Sequence, residues 1–215
     1  SKIRNKEING ANITVPFKNE IINYIDKLSF EAEKTQSVNT IYLDNDKIIG
    51  SNTDIAGFEL AIKSTSFDIK NKKIFILGAG GVVPSIVFAL KKMKVSKIVV
   101  CNRTIEKTKK INHLFKEVEI IPWGDVPNFD VIINATSLGL NTDDKIDLNL
   151  PSNCKGKLFY DVIYNPKETF FLKEGNRLGG LVENGKMMFI HQAAASFKIW
   201  HDIDPIINNE VIGLL

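Results

Sequence analysis

The sequence predicts an α/β fold built as two lobes, and three observations carry that prediction. The middle of the chain alternates short β-branched runs with helix-length segments, as in residues 72–77 (KKIFIL), 97–101 (KIVVC) and 130–134 (DVIIN). A glycine-rich turn, Gly78-Ala79-Gly80-Gly81, stands directly after the first of these runs and before a helical stretch. Ahead of residue 55 the pattern changes to a strand, a proline-led helix and a hairpin. Strands alternating with helices of this length make βαβ units, which require a parallel sheet with helices on both faces.

Taken in order, residues 11–15 read as a strand, and a helix is expected from Pro16, because proline suits a first helical turn. Residues 38–43 and 47–50 form a predicted hairpin around Asp44-Asn45-Asp46. Residues 53–63 are expected to be helical and to carry the chain into the central lobe. Strands are expected there at 72–77, 97–101, 118–121, 130–134 and 158–162, with one helix running to Met93 and another over 104–115. Two more helices are predicted, at about 184–200 and 205–215. The chain end thus returns to the first lobe, so residues 1–54 and 184–215 make one domain and 55–183 the other.

Composition narrows the function. With 215 residues, 44% hydrophobic and 25% charged, the chain is long enough to bury a core and ordinary for a globular protein. Its formal charge is only +3. The densest basic runs, Lys91, Lys92 and Lys94, then Lys107, Lys109 and Lys110, fall on predicted helices, where they read as solvated faces. Nucleic-acid binding gains no further support. Cys101 and Cys154 have no metal-ligand or CxxC spacing, so neither a zinc site nor a disulfide framework is expected, and no metal is assigned. No apolar run has membrane-spanning length and no charged-then-apolar leader opens the sequence, which reads as cytoplasmic.

The glycine turn is informative because of its setting. Between a strand and a helix, glycine allows the tight turn and lets backbone N–H groups approach a pyrophosphate. Gly78, Ala79, Gly80, Gly81 and Val82 are therefore candidates for a dinucleotide loop in a Rossmann-type domain. Val83 holds the third fingerprint position, where a smaller residue is usual, so looser helix–strand packing is expected. The next strand ends in Asn102-Arg103-Thr104, with Lys107 one turn later. An NAD site usually places a carboxylate there to bind the ribose; a guanidinium instead grips a 2′-phosphate, so NADP is the expected cofactor. Thr136 and Ser137, in Asn134-Ala135-Thr136-Ser137, follow another strand at the sheet edge where ligands bind in such folds.

The first lobe carries three clusters of short polar side chains at strand ends: NITVPFK from Asn12, SVNT from Ser37 and NTD from Asn52. Hydroxyls and amides of this kind suit a polyhydroxylated ligand. Lys18 and Asp54 meet only through folding. Beside a carbonyl carbon, such a lysine gives a proton to the forming alkoxide and such an aspartate orients it.

Taken together, NITVPFK, SVNT, GSNTD, GAGG, NRT, NATS, DVIYNP and ENGKMMFIHQAAASF, in that order, resemble the shikimate dehydrogenase family from about residue 10 onward. The resemblance implies NADPH-dependent, reversible reduction of 3-dehydroshikimate to shikimate, a step towards chorismate and the aromatic amino acids. It implies that Lys18 is the catalytic lysine and Asp54 its partner, and that Asn12, Thr14, Asn39, Tyr164 and Gln192 bind substrate. The pyrophosphate loop and the Asn102–Arg103–Thr104–Lys107 clamp keep the roles given above, and Ile163 and Gly185 stand near the nicotinamide. Two departures are Lys107 where arginine is common and Gln36 where glycine is usual. The family's chains also open with a βα segment carrying Ser-x-Ser, which the sequence lacks, so the substrate lobe is expected to be short of one strand and one anion contact. A monomer or homodimer is expected. Two other readings stay open. An NAD-preferring quinate/shikimate dehydrogenase is opposed by Arg103. A catalytically silent nucleotide-binding module is opposed by Lys18, Asp54 and Gln192.

Overall fold

The structure, a computed structural model, describes residues 2–141 and 144–215. The first lobe opens with β1 (Gly10–Asn12), a 3-10 helix (Glu20–Tyr24), β2 (Lys27–Leu28) and α1 (Phe30–Thr35), followed by β3 (Thr40–Asp44) and β4 (Lys47–Ser51). These strands form a four-stranded mixed sheet in the order β1-β3-β4-β2. β3 and β4 make the expected hairpin. Asn45 and Asp46 both take positive φ, 46° and 60°, the backbone that a two-residue turn matching the strand twist requires.

Helix α2 (Asp54–Ser64) leads into β5 (Lys73–Leu77), α3 (Val83–Lys92), β6 (Lys97–Cys101), α4 (Ile105–Leu114) and β7 (Glu119–Ile121). The chain then continues through β8 (Val131–Asn134), β9 (Leu158–Asp161), α5 (Phe170–Arg177) and β10 (Leu181–Glu183), and ends in α6 (Lys186–His201) and α7 (Asn209–Gly213). The six strands β5 to β10 lie in the order β10-β9-β8-β5-β6-β7, and every pairing is parallel. The order reverses between β5 and β8. That is where ligands enter such sheets, outside the carboxyl ends of the strands.

Alternation along β5 explains the two core layers. Ile74 and Ile76 face α2, α3 and α6, burying with Phe58, Ile62, Ile86 and Leu90. Phe75 and Leu77 face the opposite layer, with Phe129, Phe159, Phe171 and Leu172. Each fully buried side chain of this size is worth about 1.5–3 kcal/mol. Val83 is itself fully enclosed at 0% exposure, so the packing closes around the valine rather than loosening.

Three local expectations differ, the first being the last helix, expected over 205–215 but formed only over Asn209–Gly213. Strand β1 stops at Asn12, and no helix starts at Pro16: residues 15–19 form turns and only a short 3-10 helix follows. The carbonyl of Lys18 explains this, because it accepts from Val38 N at 2.9 Å, and the bonds that follow are tight turns such as Ile22 N to Asn19 O. Among the described residues no helix is long and apolar enough to cross a membrane.

Candidate active site

Lys18 and Asp54 meet across the end of the first sheet. The Lys18 ammonium donates to Asp54 Oδ2 at 2.6 Å, and the two side chains are only 12% and 6% exposed. Asp54 opens helix α2, so its position is set by a rigid element. Its other oxygen, Oδ1, accepts from the Asn39 amide at 3.0 Å. The same amide lies 2.8 Å from Thr53 Oγ1 and 3.3 Å from Gln192 Oε1. Asn39 Oδ1 in turn accepts from Thr53 N at 2.7 Å, which fixes the way the amide faces. The carboxylate therefore holds the ammonium on one side and is held on the other.

Behind this pair runs a polar seam between the sheet and α6. Ser196 Oγ lies 2.7 Å from Thr40 Oγ1 and 3.1 Å from Thr53 Oγ1. Asn12 donates to Ser196 Oγ at 3.2 Å and lies 3.3 Å from Asn39 O, so its amide is engaged in joining β1, β3 and α6. Thr14 is exposed just past the end of β1. Gln192, the unusual glutamine of α6, donates to Phe189 O at 2.9 Å. It stands where α2 and α6 cross closely: a Cβ on Gly57 would fall 2.8 Å from Gln192 Cβ. Ser196 escaped the sequence reading; its one signal is a place one helical turn beyond Gln192, on the same face.

The glycine turn faces this group. Gly78 has φ +109°, and a Cβ there would meet Ala135 O at 2.7 Å, so only glycine fits. A Cβ on Gly80 would meet nothing nearer than 3.9 Å, and one on Gly81 would approach only the Lys18 side chain, at 3.9 Å from Cδ and 4.0 Å from Cβ. Those two glycines are bare towards the groove, not because of protein packing. A pyrophosphate needs that kind of cradle, and the residues present fit it. Ser37 adds a link the sequence did not reveal, donating to Gly81 O at 3.1 Å from a fully buried position.

A cleft of about 740 Å³ runs past this turn. Its walls are the loop from Gly78 to Val82, the segment Asn102, Arg103, Thr104 and Lys107, the loop of Ala135, Thr136 and Ser137, and Ile163 and Tyr164. Arg103 and Lys107 are exposed at the cleft and make no ion pair within 4 Å among the described residues, although the Asp144 carboxyl, held low by backbone hydrogen bonds, is also lowered by the Arg103 charge. Tyr164 stacks on Phe189, centroids 4.6 Å apart, which fixes its ring at the end of the cleft nearest α6. Gly185 starts α6 against the same strand end; its N–H donates to Ile163 O at 3.1 Å, and a Cβ would sit 1.9 Å from Val162 O. Cys101, at the root of the Arg103 turn, is buried, and desolvation pushes its thiol up to about 12, so it offers no nucleophile.

The glycine loop, the Arg103 segment, Thr136, Ser137, Ile163 and Tyr164 thus line the cleft, while Lys18, Asp54, Asn39 and Gln192 bond to one another beside it, with Gly81 and Lys18 at the seam. A groove lined by a glycine turn and two exposed cations, next to a lysine held by a carboxylate, suits transfer of a hydride and a proton to one carbonyl group.

Comparison with known proteins identifies the family. The Shikimate dehydrogenase substrate binding domain matches residues 1–41, and Shikimate / quinate 5-dehydrogenase matches residues 59–166. A Shikimate dehydrogenase (NADP(+)) of Pelagibacter ubique is 55% identical over 99% of the chain and 80% of its own length. The shikimate dehydrogenase of Aquifex aeolicus superposes with a TM-score of 0.86 at 33% identity, covering 99% of this chain and 78% of that one. A Thermus thermophilus shikimate 5-dehydrogenase solved with NADP(H) and shikimate gives 0.83 at 29% identity, covering 95% and 77%. Sequence, fold and cleft converge, and the chain belongs to the shikimate dehydrogenase family.

Proposed function

We infer that this protein is an NADP-dependent oxidoreductase that interconverts 3-dehydroshikimate and shikimate, a step of chorismate and aromatic amino acid biosynthesis. One observation carries the chemical reading: the 2.6 Å pair of Lys18 and Asp54 beside the glycine turn, in a chain of this family. NADP supplies the hydride carrier when bound.

The chain's own groups do the rest. Lys18 gives a proton to the substrate oxygen as the carbonyl is reduced and takes it back in the reverse direction. Asp54 keeps the ammonium aimed, and Asn39 keeps Asp54 aimed. Asn39, Gln192, Thr14 and Tyr164 supply the hydroxyl contacts, with Asn12 behind them. Gly78 to Val82 hold the pyrophosphate, and Asn102, Arg103, Thr104 and Lys107 hold the 2′-phosphoadenosine end. Thr136, Ser137, Ile163 and Gly185 flank the nicotinamide. Residues 1–54 with 184–215 form the substrate domain and 55–183 the cofactor domain, supported by the bond from Trp200 in α6 to Ile41 O in the first sheet. The protein works in the cytoplasm as a monomer or homodimer on small molecules alone.

Lys18→Ala tests the reading. Steady-state kinetics should show kcat lower by roughly 10²–10⁴-fold with a much smaller change in KM, as for loss of a positioned proton donor. Near-normal turnover in that variant would remove Lys18 from the chemistry.

A further inference from the structure

Two buried polar residues stand back to back beneath the cleft wall. Asn134 and Asp161 are the last residues of the adjacent strands β8 and β9, directly paired in register. Both are 0% exposed. Asn134 Nδ2 donates to Asp161 Oδ1 at 3.0 Å. Each side chain also reaches forward into its own loop. Asn134 Oδ1 accepts from Thr136 N at 3.1 Å and Thr136 Oγ1 at 2.7 Å, while its amide donates to Leu138 O at 3.0 Å. Asp161 Oδ1 accepts from Ile163 N at 3.0 Å, and Oδ2 accepts from Thr169 Oγ1 at 2.6 Å. Thr169 then caps α5, accepting from Leu172 N at 3.3 Å.

No cation pairs with Asp161 among the described residues, so three neutral donors hold its carboxylate in the core. Such a carboxylate is costly to bury, and two loops shaped only by local turns would not require one. What it adds is spacing, because one acceptor group ties the strand end, the second loop and the start of α5 to Asn134 and the first loop. Those two loops carry Thr136, Ser137, Ile163 and Tyr164 into the cleft. The sheet order puts β8 and β9 on one side of β5, and β6, whose end leads into the turn of Arg103, on the other.

We propose that Asn134 and Asp161 are positioning residues for the nicotinamide half of the cofactor, their mutual bond fixing the spacing of the two loops that flank it. This rests on the NADP reading above. The pair touches neither cofactor nor substrate; it acts through Thr136 and Ile163. Because Arg103 lies across β5, the grip on the 2′-phosphoadenosine half is independent of the pair.

Asp161→Asn keeps the shape but presents an NH₂ group to one of the three donors. Calorimetric titration of the folded variant with adenosine 2′,5′-bisphosphate should give an affinity within about twofold of the parent, while kcat falls about 10–100-fold, the scale set by misplacing a reacting group by a fraction of an ångström to an ångström. An unchanged kcat overturns the proposal, as does a loss of bisphosphate affinity matching the loss of kcat. Should Asp161→Asn not fold, Thr169→Val removes one donor and leaves the charge. It should lower kcat at least about threefold with bisphosphate binding retained, and Thr169→Ser should restore it. Equal kcat for the valine and serine variants overturns the proposal. A parent that fails to bind NADP refutes the cofactor reading instead, so the two failures are told apart.

Discussion

The Asn52 side-chain amide donates to the Ser85 hydroxyl at 2.8 Å, joining the end of the first sheet to the helix that follows the glycine turn. The same amide donates to Ser37 O at 2.8 Å and lies 3.2 Å from Thr35 Oγ1, and all four residues are buried. Together with the Ser37 bond to Gly81 O, this seam holds the cofactor loop against the lobe that carries Lys18.

Asn52→Ala should therefore cost about 2–4 kcal/mol, since it leaves a hydroxyl and a carbonyl buried without their partner. Ser85→Ala, which removes one bond, should cost about 1–2 kcal/mol. Urea denaturation measures both. Equal and negligible losses would mean that the seam contributes nothing.

Arg103 should decide cofactor choice. Removing a charge-assisted contact worth about 1.5–3 kcal/mol predicts that Arg103→Ala lowers the ratio of kcat/KM for NADP over NAD by roughly 10–100-fold. Turnover with NAD itself should change little. An unaltered ratio would assign the 2′-phosphate to other groups.

Gly185→Ala would bring a methyl group to within 1.9 Å of Val162 O and 2.5 Å of Val162 C, backbone atoms that cannot swing aside as a side chain could. The start of α6 must shift, and with it the Ile163 carbonyl that accepts from Gly185 N. We expect at least the ~1–3 kcal/mol cost of overpacking, seen as a lower Tm, together with weakened NADP binding. A variant as stable and active as the parent would contradict the described approach of the two backbones.

Asp161 gives a pH signature. Burial pushes its carboxyl up to about 6 from the ordinary 3.8, against the pull of its bonds from Thr169, Ile163 and Asn134. The folded protein thus holds this proton more tightly than the unfolded chain. The contribution is fully present below the unfolded value and is lost as pH rises through about 6. The stability of the parent relative to Asp161→Asn should fall by on the order of 3 kcal/mol between about pH 4 and pH 7. A difference that grows with pH would reverse the sign and refute the assignment.

Much of the central lobe was legible because its signals are local. β5, its glycine turn and α3 lie within one short stretch, and the Asn45-Asp46 turn declares its hairpin. Helix α5 did not announce itself: FFLKEGNR is short and includes glycine and asparagine, poor helix formers. Its stability comes from the Thr169 cap and from burying Phe171 and Leu172 in the sheet's second layer. The three-residue β10 and two-residue β2 are defined by their partners rather than by their own pattern. The expected helix at Pro16 failed because the Lys18 carbonyl was claimed by the N–H of Val38, in the loop ahead of β3. In the same way, the sequence offered Lys18 and Asp54 only as a conditional pair, while Asn134 and Asp161 looked like ordinary strand-end residues. Contacts between distant segments made the difference in each case.

Helix α6 begins on the Ile163 carbonyl beside the cleft, passes Gln192 and Ser196 through the polar seam, and ends with Trp200 bonded to Ile41 O in the first sheet. Its 16 residues make a stiff rod about 24 Å long. Because both halves of the molecule bond to this one rod, the spacing between its Ile163 end and its Ile41 end is set by helix geometry rather than by loops.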